Sequence, residues 1–255
     1  MLKELYQYRQ LLKSNVKKEI RGKYKASFLG VLWSFVNPLL MTMVYAIVFP
    51  FLLKSSQEHY TTFIVMAILP WTWFTGAIAQ GTNCILINGP IIKKVYFPRT
   101  ILPISIVVSG LVNFLISCII IFIFLIFSGI GFSFYILFLP IIIILQFILQ
   151  LGLVLITSSI DVYIRDTEYI INFLISLLFY ATPVLYSFEM FPQRLRGILQ
   201  LNPMATIINS YRSIFYYQTA PDFKMLLYVL VVALAIFGIG LKTFNKLEKG
   251  FAEEL

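Results

Sequence analysis

Few residues in this 255-residue chain are equipped for acid–base, nucleophilic or metal chemistry: eleven Asp and Glu, one His and two Cys. The acids fall in tails, in loops or in one irregular stretch, and none lies at the centre of an apolar run. A membrane-embedded enzyme needs acids, bases or metal ligands gathered in one place. An ion-coupled carrier needs carboxylates or histidines inside its spans. The pattern argues against both. His59 sits in a short polar loop and reads as solvated. Cys84 and Cys118 lie within apolar runs, where a small packed side chain is the ordinary role and a disulfide or metal ligand the exceptional one. The phosphate-binding pattern G-x-x-x-x-G-K-[ST] is absent, so the chain is expected to carry no cofactor and to leave ATP hydrolysis to another polypeptide.

Two compact polar segments remain. Asn88 to Pro103, NGPIIKKVYFPRTILP, is short, basic and bounded by prolines, with long apolar runs on both sides. Lys93, Lys94 and Arg99 hold it in water or at a membrane surface. Ile91, Ile92, Val95, Tyr96 and Phe97 supply apolar side chains that a plain solvated loop does not need. Pro90 suits the first turn of a helix, whereas Pro98 and Pro103 disfavour its continuation. The spacing predicts a short amphipathic helix shaped to dock on something outside the bilayer. The second segment, DVYIRDTE (Asp161 to Glu168), reads first as a helix-capping turn. Asp166 is placed to cap the following helix, and Glu168 is favoured near that helix's positive end.

The elements around these segments are hydrophobic. The chain is 60% hydrophobic and 12% charged, about half the charged fraction of a soluble domain. Apolar runs of bilayer length predict an all-α integral membrane protein with six spans, near residues 27–53, 61–87, 101–127, 134–160, 169–187 and 225–241. Residues 1–25 place Leu2, Leu5, Leu12, Val16 and Ile20 on one stripe beside a lysine-rich face, the pattern of an amphipathic helix lying in the interface. Residues 188–223 hold three prolines, five charges and apolar pieces too short to cross, which fits two helices that dip into the membrane and return.

The net charge of +9 sits beside the apolar runs and orients them, and is no sign of nucleic-acid binding. Fifteen of the twenty Lys and Arg fall on the side holding both termini, NGPIIKKVYFPRTILP and DVYIRDTE. That side is therefore expected to be cytoplasmic, in a multi-pass protein of the cytoplasmic membrane whose surroundings are membrane lipids.

Aromatic residues make up 16% of the chain. Trp33, Tyr45, Trp71, Trp73, Tyr180 and Tyr186 are candidates to line a path, since aromatic faces suit sugar rings, although Trp and Tyr also gather at membrane interfaces for lipid-facing reasons. Six spans are few for a wide conduit, which favours a homodimer with the path between its copies.

Six stretches together resemble one family. They are RGKYKASFLGVLWSFVNPLL (Arg21 to Leu40), LPWTWF (Leu69 to Phe74), NGPIIKKVYFPRTILP, RDTEYI (Arg165 to Ile170), FYATPVLYS (Phe179 to Ser187) and LNPMATIINSYRSIFY (Leu201 to Tyr216). The chain is similar in these to the permease subunits of ABC-2 type exporters that move lipid-linked polysaccharides such as O antigen, teichoic acid or capsule. The resemblance implies one transmembrane domain over 1–255, acting as a homodimer with two copies of a separate ATPase that binds ATP and Mg. It makes residues 88–100 the coupling segment, with Pro90 to Pro98 as the coupling helix and Arg99 after it. Arg165, Asp166 and Glu168 become a second ATPase-side contact. The basic corner Arg21, Lys23 and Lys25 becomes the partner of the substrate's phosphates. Pro192, Arg194, Arg196, Asn202, Pro203 and Arg212 become parts of an outer re-entrant gate. An ABC-2 exporter of a drug or simple lipid would share the fold. A motor-free channel or scramblase and a glycan-processing enzyme fit the docking surfaces and the missing acid–base cluster less well.

Overall fold

The computed structural model describes residues 6–22, 33–53 and 58–255, and these are helical throughout their ordered elements, with no strand among them. In chain order the helices are α1 (Arg9–Gly22), α2 (Trp33–Leu53), α3 (Tyr60–Thr82), the single turns α4 (Cys84–Ile87) and α5 (Gly89–Ile92), α6 (Ile101–Phe127), α7 (Leu139–Asp161), α8 (Thr167–Tyr180), α9 (Gln193–Gln200), α10 (Pro203–Phe215), α11 (Phe223–Leu247) and the turn α12 (Phe251–Glu254). Among the described residues four helical segments are long and apolar enough to cross a membrane: Tyr60–Thr82, Ile101–Phe127, Phe134–Asp161 and Phe223–Glu254. The helix α2 runs 21 residues and carries the apolar stretch Leu39–Phe49.

The centre of the bundle is α3. It is buried along nearly its whole length, and α2, α6, α7, α8 and α10 pack around it. A helix apolar on every side is stable only in such a position or facing lipid. Its Pro70 removes one backbone donor. Gln146 of α7 reaches this point, donating from Nε2 to Pro70 O at 2.8 Å, while its Oε1 accepts from the Tyr211 hydroxyl of α10 at 3.0 Å. One buried amide thus ties three helices together with both of its ends satisfied.

The most extensive helix pair is α7 with α11, and two glycines set its closeness. A Cβ on Gly152 would stand 2.7 Å from the Phe237 backbone, and one on Gly240 would stand 2.5 Å from the Gly152 carbonyl oxygen. Small residues that let backbones meet are the usual means of helix association in a bilayer. Between α6 and α7, Gly129 and Gly131 take the left-handed backbone (φ 71° and 77°) that the tight turn at 128–133 requires.

Two predicted boundaries shift. The run near 169–187 is helical only from Thr167 to Tyr180, which is 14 residues or about 21 Å, short of the ~30 Å hydrocarbon core. Pro183 is the cause, since it disfavours a helical Thr182 before it and lacks the donor to continue the ladder. Pro103, expected to bound the polar segment, lies instead in the first turn of α6, where its missing N–H has no intrahelical partner to lose. The stretch 188–223 forms two helices, α9 and α10, and ten residues of α10 are buried.

Gly152→Ala is expected to force α7 and α11 apart at a cost of about 1–3 kcal/mol. The same substitution at Gly197, where an added Cβ meets nothing within 4 Å, is expected to be near neutral. Thermal unfolding of the detergent-solubilised protein checks both.

Candidate functional site

At one end of the bundle four segments converge: α1, the 83–100 segment, the 162–166 loop and the end of the chain. The stripe Tyr8, Leu11, Leu12, Val16 and Ile20 is half-buried, with Val108 of α6 opposite α1, and Lys13, Lys17 and Lys18 are exposed along its edge. Lys18 Nζ donates to Asn88 Oδ1 at 3.1 Å, and Asn88 Nδ2 donates to Cys84 O at 2.8 Å. The side chain of Asn88 therefore satisfies a carbonyl of the broken helix and fastens α1 to it. Arg21 is exposed in the last turn of α1, and Lys23 and Lys25 lie outside the described residues.

The predicted docking segment is one helical turn, Gly89–Ile92, extended by backbone bonds from Lys94 and Val95 to Ile91 O. Its side chains divide. Ile91, Lys93, Lys94, Val95 and Tyr96 face outward, with Tyr96 91% exposed, whereas Ile92 and Phe97 are each 7% exposed and anchor the turn to the core. The exposed face is thus made by Tyr96 and its neighbours, with Phe97 turned to the core. Pro90 is exposed, and Pro98 and Arg99 are half-buried.

Arg99 points to the end of the chain, a contact that sequence reasoning missed. Its Nη1 donates to Glu248 O, and its guanidinium lies 5.8 Å from the Phe251 ring centre. Phe251 is fully buried, edge-on to Phe244 at 5.5 Å and near Tyr163 at 6.4 Å. The Tyr163 hydroxyl donates to Leu247 O at 2.8 Å. Residues 248–255 thus form a hook joining the 88–100 segment to the 162–166 loop. The only sequence signal was one aromatic residue in a polar tail.

The second acidic segment departs from its expected geometry. Asp161 closes α7 as a buried residue with neither carboxylate oxygen bonded among the described residues, and Val162 after it is buried too, so the exposed loop begins at Tyr163. Asp166 stands at the N-cap of α8 without a side-chain capping bond. Glu168 Oε1 accepts from Asn83 Nδ2 at 3.2 Å, which links the loop to the break after α3. Arg165 is exposed beside Asp166.

At the opposite end, Arg212 of α10 is 1% exposed and has carbonyl rather than carboxylate partners. It donates to the carbonyls of Pro183, Val184 (2.6 Å), Tyr186 (3.1 Å) and Phe63 (3.4 Å), and its guanidinium sits 3.5 Å over the Phe63 ring. Tyr60 adds a bond to Leu185 O at 2.7 Å. Asn202 caps α10 by accepting from Met204 N and donates to Thr182 Oγ1 at 2.9 Å. The non-helical 181–187 segment is therefore held almost entirely by side chains from elsewhere. Pro192 is the N-cap of α9 and makes no side-chain capping bond, whereas Pro203 is the first residue of α10 after its Asn202 cap; Arg196 bonds Phe191 O and Glu189 O, and Arg194 is exposed.

The six aromatic candidates do not share one wall. Trp33 and Trp73 line a cavity within the bundle. Trp71 and Tyr45 both pack on Phe179. Tyr180 is exposed, and the Tyr186 hydroxyl bonds Tyr180 O at 2.7 Å.

Residues 10–216 match the family described as ABC-2 type transporter, and the chain belongs to that family. It is 33% identical over 257 residues to the O-antigen export system permease protein RfbA of Myxococcus xanthus, covering 100% of this chain and 99% of the relative. It is 35% identical over 240 residues to the protein of the same description from Klebsiella pneumoniae, covering 93% and 92%. This is a multi-pass membrane protein of the permease type.

Two outcomes are expected. Arg212→Ala leaves three or more buried carbonyls unpaired and is expected to cost on the order of 2–4 kcal/mol in denaturant unfolding, with Arg212→Lys intermediate because an ammonium cannot fork across several carbonyls. Phe251→Ala is expected to speed hydrogen exchange at Ile91 to Val95 and at Tyr163 and Ile164 while leaving α3 unchanged, as hydrogen-exchange mass spectrometry would read.

Proposed function

We propose that the chain is the membrane subunit of an ATP-driven exporter that moves lipid-linked polysaccharide across the cytoplasmic membrane. The observation that carries this is similarity over essentially the full chain to permeases described as O-antigen exporters. Two copies of the chain pair, and two copies of a separate ATPase bind ATP and Mg. The spans are six, with α2 and α8 completing the set, and both termini are cytoplasmic. The exposed apolar faces of α8 (Tyr169, Phe173, Leu177, Tyr180) and α2 (Met43, Val44, Ile47) support pairing across these helices, with the polymer path between copies.

The lever follows from the divided docking segment. Ile91, Lys93, Lys94, Val95 and Tyr96 offer an apolar and cationic knob to the ATPase, and buried Ile92 and Phe97 pass its displacement to the bundle. Arg165, Asp166 and Glu168 lie on the second contact. Arg21, with Lys23 and Lys25, meets the pyrophosphate of the lipid-linked glycan on the cytoplasmic side, where cationic side chains give charge-assisted hydrogen bonds. At the outer side α9 and α10 dip into the membrane as the gate, with Arg212 holding the 181–187 segment as its fixed post.

Depleting the protein is expected to make a long lipid-linked polymer accumulate on the cytoplasmic side while surface glycan falls, as read by extraction and sugar analysis. Normal surface glycan with no accumulation would move the assignment to a drug or simple-lipid exporter. Lys94→Ala with Tyr96→Ala is expected to abolish co-purification of the ATPase without lowering the melting temperature, because both side chains are exposed.

A further inference from the structure

The last carbonyls of a helix have no donor within it, and at the end of α11 two distant segments supply donors. Arg99, from the 88–100 segment, donates to Glu248 O, and the Tyr163 hydroxyl, from the 162–166 loop, donates to Leu247 O at 2.8 Å. Arg99 also brings a cation to the negative end of the helix, where charge favours it. Both segments then meet one side chain beyond α11. The Arg99 guanidinium lies 5.8 Å and the Tyr163 ring 6.4 Å from the Phe251 ring centre.

Residues 248–255 have the composition of a solvated tail, with Glu248, Lys249, Glu253 and Glu254 among them. They are nevertheless seated. Phe251 is fully buried and stands edge-on to Phe244. Gly250 lies so close to the loop that an added Cβ would stand 2.3 Å from the Tyr163 hydroxyl. Leu255 lies against the 89–97 turn, since a Cβ on Gly89 would stand 3.3 Å from Leu255 Cδ2. The hook thus touches both segments from beneath and leaves their outer sides open. Ile91, Val95 and Tyr96 on the turn and Ile164, Arg165 and Asp166 on the loop are exposed. The bond from Asn83 to Glu168 ties the same region together on its α3 side, so loss of the hook would loosen the two segments rather than separate them.

We propose that residues 248–255 hold the 89–97 turn and the 162–166 loop as one rigid seat, so that an ATPase touching both moves them together. The proposal rests on the proposed assignment of these two segments as the ATPase contacts. It makes the buried Phe251 a positioning residue, acting on the motor through the seat and not by contact with it.

The test uses the full chain purified with its ATPase in lipid nanodiscs. ATP hydrolysis is measured against ATP concentration for the complex and for the ATPase alone. The unaltered complex is expected to turn over about fivefold or more faster than the free ATPase. Phe251→Ala is expected to keep the ATPase bound and KM for ATP unchanged, and to lose most of that acceleration in kcat. Phe251→Leu, which refills the space, is expected to restore it. A role in stability alone would lower the melting temperature and the yield of complex and leave kcat per complex unchanged. Gly250→Ala presses on Tyr163 while leaving Phe251 in place, and is expected to act in the same direction. It takes over should Phe251→Ala fail to fold.

Unchanged kcat in the folded variant overturns the proposal, as does failure of Phe251→Leu to restore a lost rate. Loss of the ATPase from Phe251→Ala overturns it as well, since the hook would then govern binding rather than positioning. An unaltered complex no faster than the free ATPase leaves no coupling for the seat to carry and also overturns it. A chain that retains no ATPase through purification overturns the pairing itself, and the proposal with it. The cargo enters none of these measurements, so the polysaccharide assignment is read separately from surface glycan.

Discussion

A backbone carbonyl or amide without a partner is too costly to keep in an apolar medium, and this chain breaks its helices in several places. Side chains reach the backbone carbonyls at several of these points, some local and some from other elements. Gln146 covers Pro70, Asn88 covers Cys84 and receives Lys18, and Arg212 with Tyr60 covers the carbonyls of 183–186. Tyr163 and Arg99 cover Leu247 and Glu248 where α11 gives way to the terminal hook. The need to satisfy backbone groups internally explains why so small a polar complement is spread so widely.

The same bonds decide how the two ends of the bundle behave. On the α1 side, the 89–97 turn is fastened by Asn88, Ile92 and Phe97 and braced by the hook through Arg99 and Phe251. The exposed Tyr96 therefore stands on a turn tied to the bundle at several points. On the other side, Arg212 fixes a segment that is not helical, so the end of α8 is a post held by one guanidinium rather than a continuous rod. Arg suits this task because its planar fork reaches several carbonyls at once and keeps its charge.

Hydrophobic run length determined the helices Ile101–Phe127 and Leu139–Asp161, proline and charge placement the two short helices after Pro192, and helical spacing the amphipathic face of α1. Local chemistry suffices there, because an apolar run has no partner but itself for its backbone. The exposure of most of the 91–96 segment was legible for the same reason, since cations have little use inside a bundle. Tertiary structure decided the rest. Neither the period of the run nor its composition separates Tyr96 from Phe97, because which side chain turns inward depends on the approach of α6. Residues 248–255 read as a polar tail, and only the meeting of Arg99, Tyr163 and Phe244 around Phe251 makes them a hook. Arg212 read as one more charge in an irregular stretch. Its role exists only because Pro183 ends α8 early and leaves carbonyls that no residue nearby in sequence can reach.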